Sequence, residues 1–247
     1  MSYFACEGLC KSYSGRQIIR DISLHVEKGK LVSLLGVSGI GKTTLFNLLS
    51  GLEAPDGGRV FYEGREVTGQ KGMVGYMQQK DLLLPFKTVL DNICLPLVIR
   101  GERKADARRQ AEQHLKFFGL EGMGGKYPSQ LSGGQRQRAA LLRTYLFSGQ
   151  MLLLDEPFSA LDAITKSAIH DWYLDMVRQM EASTLLITHD IDEAVQLSDR
   201  IYIMSGAPGQ ITHELALDFS GSRKMDFTLS EQFIHYKMEI LSHIQGT

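Results

Sequence analysis

Apolar runs of strand length recur along the chain: "KLVSLLG" (30–36), "MVGYM" (73–77), "MLLLDE" (151–156), "TLLITHD" (184–190) and "RIYIMSG" (200–206). Helical patterns lie between them at 42–49, 105–118, 136–147, 165–180 and 191–197. Unbroken apolar strands alternating with helices predict an α/β fold whose parallel sheet is covered on both faces. The first thirty or so residues and "GGRVFYEGREVTG" (57–69) are more polar and punctuated by glycine, which predicts antiparallel strands at one edge. No strand pattern interrupts 82–131. There "ADARRQAEQHLKFFGL" sets Ala107, Ala111, Leu115 and Phe118 on one helical face, with Gly119 as its C-terminal cap. A helical subdomain inserted at about 82–147 is therefore expected. The tail, 216–247, repeats apolar residues at Phe233, Ile240 and Ile244 and at Ile234, Met238 and Leu241, which predicts a packing helix.

Composition narrows the function classes. With 247 residues, 43% hydrophobic and 22% charged, the chain can bury a large core. The formal net charge of −1 and the lack of like-charge blocks argue against a nucleic-acid partner. Cys6, Cys10 and Cys94 form no CxxC pair and are expected to be free thiols in a reducing cytosol. The sequence "MSYFACEGLCKSY" has no charged-then-apolar leader pattern, and no apolar run approaches the ~20 residues that span a bilayer. Any membrane role is expected to come through a partner.

Chemistry enters at "GVSGIGKTT" (36–44), which fits G-x-x-x-x-G-K-[ST] between a predicted strand and a predicted helix. Gly36, Gly39 and Gly41 allow the tight curl that turns successive N–H groups, that of Ser38 among them, toward phosphate oxygens. The helix opening at Lys42 adds its positive end. Lys42 is placed to bridge the β- and γ-phosphates of ATP, and the Thr43 hydroxyl to ligate Mg2+, with Thr44 beside it. In "MLLLDEP", Asp155 closes an apolar strand and can hold the metal's water shell. Glu156, next in line, can act as base or orienter for an attacking water. A second glycine pair, in "QLSGGQRQRAALLRTYL" (130–146), also precedes a helix, about ninety residues further on. One ATP-sized domain has no need of two phosphate loops.

"LSGGQ" (131–135) just ahead of "MLLLDEP", "SALD" (159–162) just after it, and "LLITHD" (185–190) beyond carry a resemblance. Over roughly residues 3–215 the chain resembles the ATP-binding subunit of an ATP-binding-cassette (ABC) transporter. The resemblance implies a P-loop NTPase (RecA-like) fold and a cassette over 1–215. It implies that Tyr13 stacks on adenine, the other reading being a strand aromatic packed in the core. It further implies that Gln79, favoured over Gln78 by counting back from "LLPF", senses Mg2+ and the attacking water. His189 matches the switch histidine at the γ-phosphate, and Asp162 the aspartate that communicates across a dimer. Two subunits would pack head to tail, so that Ser132, Gly133, Gly134 and Gln135 reach the ATP held by the other copy. The second glycine pair is then half of the partner's site.

One cassette without a membrane span implies a separate permease and, as in prokaryotic importers, a substrate-binding protein. The subunit would work at the cytoplasmic face of the membrane. "LLLPFKTVLDNICLPLVIRG" (82–101) and "DEPFSALDAITK" (155–166) are similar to the nitrate/sulfonate/taurine import group, which includes carriers of thiamine precursors. Two departures stand out: Gln135 where that group often has Met, and "LLRTYL" for "LARAL". The core motifs do not encode direction, so an export or lipoprotein-release ATPase of the same fold stays open beside import. DNA-repair ATPases place coiled coils or zinc insertions before LSGGQ, and translation-factor ATPases carry two cassettes. Neither feature is present in this sequence.

Overall fold

The computed structural model describes residues 2–218 and 225–245. Six strands form the main sheet, in the order β10-β9-β3-β8-β7-β6. They are β3 (Leu31–Leu35), β6 (Gly75–Met77), β7 (Met151–Asp155), β8 (Ser183–Thr188), β9 (Arg200–Ser205) and β10 (Gln210–Ala216). All neighbours are parallel except β10, which returns antiparallel along β9. In β3, β7 and β8 every residue is buried. Alternation still sorts them by face. Leu152 and Leu154 join the core beneath the helical lobe, while Met151 and Leu153 join the core beneath the second sheet.

The antiparallel strands expected at the edge form a subdomain with a sheet of its own. β1 (Phe4–Tyr13), β2 (Arg16–Val26), β4 (Gly57–Tyr62) and β5 (Arg65–Glu66) form an antiparallel sheet of their own, ordered β2-β1-β4-β5. Register shifts interrupt the β1–β2 and β1–β4 ladders. Bulges of this kind bend a strand, and here the bent sheet lies over α1 (Lys42–Leu49).

Between β6 and β7 lie only helices and turns: α2 (Val89–Ile93), α3 (Leu95–Ile99), α4 (Lys104–Leu115), a 3-10 turn at Pro128–Gln130 and α5 (Gly133–Phe147). Thr88 caps α2 through the Asp91 N–H at 3.2 Å. The chain beyond α4 ends as the glycine predicts. Leu120 N–H bonds Leu115 C=O at 2.8 Å and Gly119 N–H bonds Lys116 C=O at 3.0 Å, with Gly119 at φ +65°. Two further helices follow: α6 (Ala163–Met180), which packs into the same core as the lobe, and α7 (Ile191–Leu197), which packs chiefly with the C-terminal core.

The tail forms α8 (Glu231–Gln245). Phe233, Ile240 and Ile244 pack with α7, β9 and β10, whereas Ile234 and Met238 face solvent. Residues 219–224 and 246–247 of the expected tail lie outside the described residues. Among the described residues no helix is long and apolar enough to cross a membrane.

Candidate active site

Parallel pairing puts the carboxyl ends of β3, β8, β7 and β6 side by side, which is where open α/β sheets bind ligands. Each end delivers one part of the site. β3 leads into the Gly36–Gly41 loop, β8 into His189, β7 into Asp155 and Glu156, and β6 into Gln79.

The loop requires glycine on steric grounds. Gly41 sits at φ +109°, and a Cβ there would fall 2.7 Å from Ile19 Cγ2. A Cβ on Gly36 would stand 2.7 Å from the Met204 carbonyl oxygen. Lys42, buried, donates from Nζ to Gly36 O at 2.8 Å and Val37 O at 2.9 Å. Burial lowers its pKa, and the neighbouring Glu156 and Asp155 carboxylates partly offset this. Thr43 Oγ1 donates to Asp155 Oδ2 at 2.9 Å. Burial raises the Asp155 carboxyl, against the opposing pull of Thr43, Lys42 and the Tyr76 hydroxyl.

Glu156 occupies the left-handed region at φ +46°, uncommon for a residue with a side chain. Its N–H is fixed by Ile187 C=O at 3.0 Å. Two neighbours meet the same carboxylate oxygen: Gln79 Nε2 and His189 Nδ1 each lie 3.2 Å from Oε2. Ser38, Gly39, Gly41, Lys42, Thr43, Thr44, Gln79, Asp155 and Glu156 together line a cleft of about 330 Å³. Gln78 points elsewhere, into a separate cleft beside α3 and α5.

Tyr13 is 42% exposed at the end of β1, so it is not a core aromatic. Its hydroxyl donates to Glu53, which also accepts from Asn47 of α1 at 2.9 Å. Sequence reading missed Glu53 and Tyr76. Neither belongs to a local motif, and both reach the site only through tertiary contacts.

The second glycine pair stands apart, and none of its residues lines the phosphate-loop cleft. The helix expected from Arg136 starts earlier, at Gly133, because Ser132 and Gln135 form a capping box. Gln135 N–H donates to Ser132 Oγ at 3.3 Å and Ser132 N–H to Gln135 Oε1 at 3.0 Å. Asp162 likewise caps α6, accepting from Thr165 N–H at 3.0 Å.

The family profile described as ABC transporter matches residues 19–159. The chain is 43% identical over 215 residues to the formylaminopyrimidine import ATP-binding protein ThiZ of Halalkalibacterium halodurans, covering 87% of this chain and 84% of that one. It is 42% identical over 224 residues to the taurine import ATP-binding protein TauB of Pseudomonas aeruginosa PAO1, covering 89% and 85%. A bacterial ABC transporter cassette solved as a dimer superposes with a TM-score of 0.75 at 27% identity, over 87% of this chain and 99% of that one. The chain belongs to the ABC transporter family. Its fold is that of a P-loop NTPase, and it is an ATP-binding-cassette ATPase.

Proposed function

We propose that the protein hydrolyses ATP in a head-to-tail dimer and thereby powers solute import through a separate permease. The observation that carries this is the split of the phosphate chemistry. Lys42, Thr43, Gln79, Asp155 and Glu156 converge on one cleft, while Ser132–Gln135 cap a helix outside it. A helix N-terminus with two glycines is suited to a γ-phosphate, and a second copy can supply that phosphate about a two-fold axis.

In this reading the Gly36–Gly41 loop and the start of α1 hold the phosphates through N–H groups, and Lys42 neutralises the β- and γ-oxygens. Tyr13 stacks on adenine. Thr43 and Asp155 are hard oxygen donors in hydrogen-bond contact, a pair that fits Mg2+, which takes few protein ligands alongside substrate phosphates. When bound, Mg2+ supplies charge neutralisation of the β- and γ-phosphate oxygens. Glu156 orients the attacking water and accepts its proton. Gln79 and His189 both hold Oε2, so Oε1 is the atom that accepts. His189 also reaches the γ-phosphate, and Asp162 communicates across the dimer. ATP favours the closed dimer through contacts made only there, and hydrolysis removes them.

The permease is assigned to the cleft of about 410 Å³ lined by Leu52, Tyr76, Leu82, Leu95, Ile99 and Phe147, between the main sheet and the helical lobe. Leu52, Leu82 and Ile99 are exposed there. In this reading the subunit works at the cytoplasmic face of the membrane, with a substrate-binding protein on the other side. The relatives named above support taurine or a formylaminopyrimidine as the kind of solute, within the nitrate/sulfonate/taurine and thiamine-precursor class expected from the sequence.

Glu156→Gln tests the catalytic core. The variant is expected to bind ATP, to lose turnover by roughly a hundred-fold or more, and to elute as a dimer with ATP. Undiminished ATPase activity would overturn the assignment. Import is tested in proteoliposomes that also carry the permease and binding protein. Taurine or a formylaminopyrimidine should accumulate only when ATP is supplied on the cassette side.

A further inference from the structure

The segment that follows Gln79 is gripped by the helix that carries the second glycine pair. Arg143 of α5 donates from Nη1 to Leu82 O at 2.8 Å and from Nη2 to Asp81 O at 2.5 Å. One turn from the other end of α5, Arg136 Nε lies 3.4 Å from Asp81 Oδ2 while its Nη1 donates to Leu131 O at 2.8 Å. Leu82 itself is left-handed at φ +46° with its side chain 51% exposed. A leucine holds that conformation only where its surroundings impose it: Leu83 beside it is buried in the core, and Leu83 N–H donates to Asp81 Oδ1 at 3.0 Å and Leu84 N–H to Asn92 Oδ1 at 2.7 Å. The two arginines tie this loop to α5. Gln79, Asp81, Gly133 and Arg136 share one cleft of about 590 Å³ between the loop and the start of α5.

We propose that Arg136 and Arg143, acting through Asp81 and the Leu82 carbonyl, are positioning residues that couple the Ser132–Gln135 end of α5 to the catalytic Gln79 of the same subunit. α5 is one hydrogen-bonded rod with Ser132 at its cap and both arginines along it. When Ser132 and the glycines engage the nucleotide of the partner, any shift of the rod is passed to Asp81, two residues from Gln79. Gln79 bears on Glu156. One subunit thereby reports the state of one ATP to the machinery that hydrolyses the other. Asp81 is central, since one arginine takes its carboxylate and the other its carbonyl. The inference rests on the reading of Gln79 and Glu156 as catalytic.

The test compares D81N, D81E, R143M and Q79A in steady-state ATPase assays, with ATP binding measured separately in EDTA. D81N and R143M are expected to lower kcat about ten-fold or more, with KM and ATP affinity within about two-fold of the parent, and D81E to restore most of the rate. A purely structural role would move stability and leave this split absent. Unchanged kcat in D81N and R143M, with Q79A impaired, overturns the coupling alone. Unchanged kcat in Q79A overturns the catalytic reading on which it rests. If D81N does not fold, the exchanged pair D81R/R136D decides: turnover above either single exchange supports the coupling, and turnover no higher overturns it.

Discussion

Among the proposed site residues Tyr13 is held from one side only: its ring is 42% exposed, its hydroxyl donates to Glu53, and the Lys11 ammonium lies 5.5 Å from the ring centre. Stacking needs the ring and not the hydroxyl. Tyr13→Phe is therefore expected to leave the KM for ATP within about two-fold, and Tyr13→Ala to raise it roughly 2- to 10-fold, in line with the worth of an aromatic contact. Steady-state kinetics on the two variants check this, and an equal rise in both would place the binding contribution in the hydroxyl. Lys42, Thr43 and Asp155 were readable in the sequence because their chemistry needs fixed types at fixed spacing. The left-handed backbone of Glu156 was not readable. It sits where β7 ends, beside the Ile187 carbonyl of β8 at 3.0 Å, a contact between strands that no local pattern records.

At the scale of elements, helix ends carry much of the positioning. Gly119→Ala would force a Cβ into the left-handed region and to within 2.3 Å of Arg138 Nη1, whose flexible side chain can withdraw. The backbone cost is about 1 kcal/mol, a fall in Tm of roughly 2–4 °C by calorimetry or circular dichroism. Helices α6 and α7 are joined by polar groups: Lys166 Nζ to Asp190 Oδ2 at 2.6 Å, and buried His170 Nε2 to Glu193 Oε1 at 3.0 Å. Burial tends to raise the Asp190 carboxyl, but the Lys166 ammonium and the Glu193 N–H hold it below the ordinary carboxylate range. A carboxyl lowered on folding contributes stability above its unfolded pKa of about 3.9, and that contribution is lost as pH falls through the folded value. The Tm difference between the parent and Asp190→Asn should therefore be constant near neutrality and shrink below about pH 4. A difference independent of pH would remove the Lys166 pair as its source. The sequence reveals both helices by period, but not this bridge, which joins residues 24 apart. It also leaves β10 unread, because a strand alternating half-buried and exposed residues has no apolar run to mark it.

For the whole molecule, the separation of Ser132 from the Lys42 cleft makes the dimer the unit of chemistry in the proposed function. Ser132→Arg is expected to retain ATP binding by the single subunit and to lose both ATP-driven dimerisation and turnover, measured by nucleotide binding, size-exclusion chromatography and phosphate release. Loss of binding in the monomer would contradict a role across subunits. The chain's own sequence determined the class of chemistry, the parallel core and the helical lobe, because these rest on local signals: glycine and lysine spacing, apolar strands, a 3.6-residue period. Tertiary structure alone decided the strand order of the antiparallel sheet, the contact of Gln79, already favoured over Gln78 by the sequence, with Glu156, and which row of α8 packs inward. It alone revealed Arg136 and Arg143 closing on Asp81. Those outcomes depend on contacts between residues distant in the chain. Local sequence restricts the conformations each segment can take, and only the assembled sheet selects which of them meet.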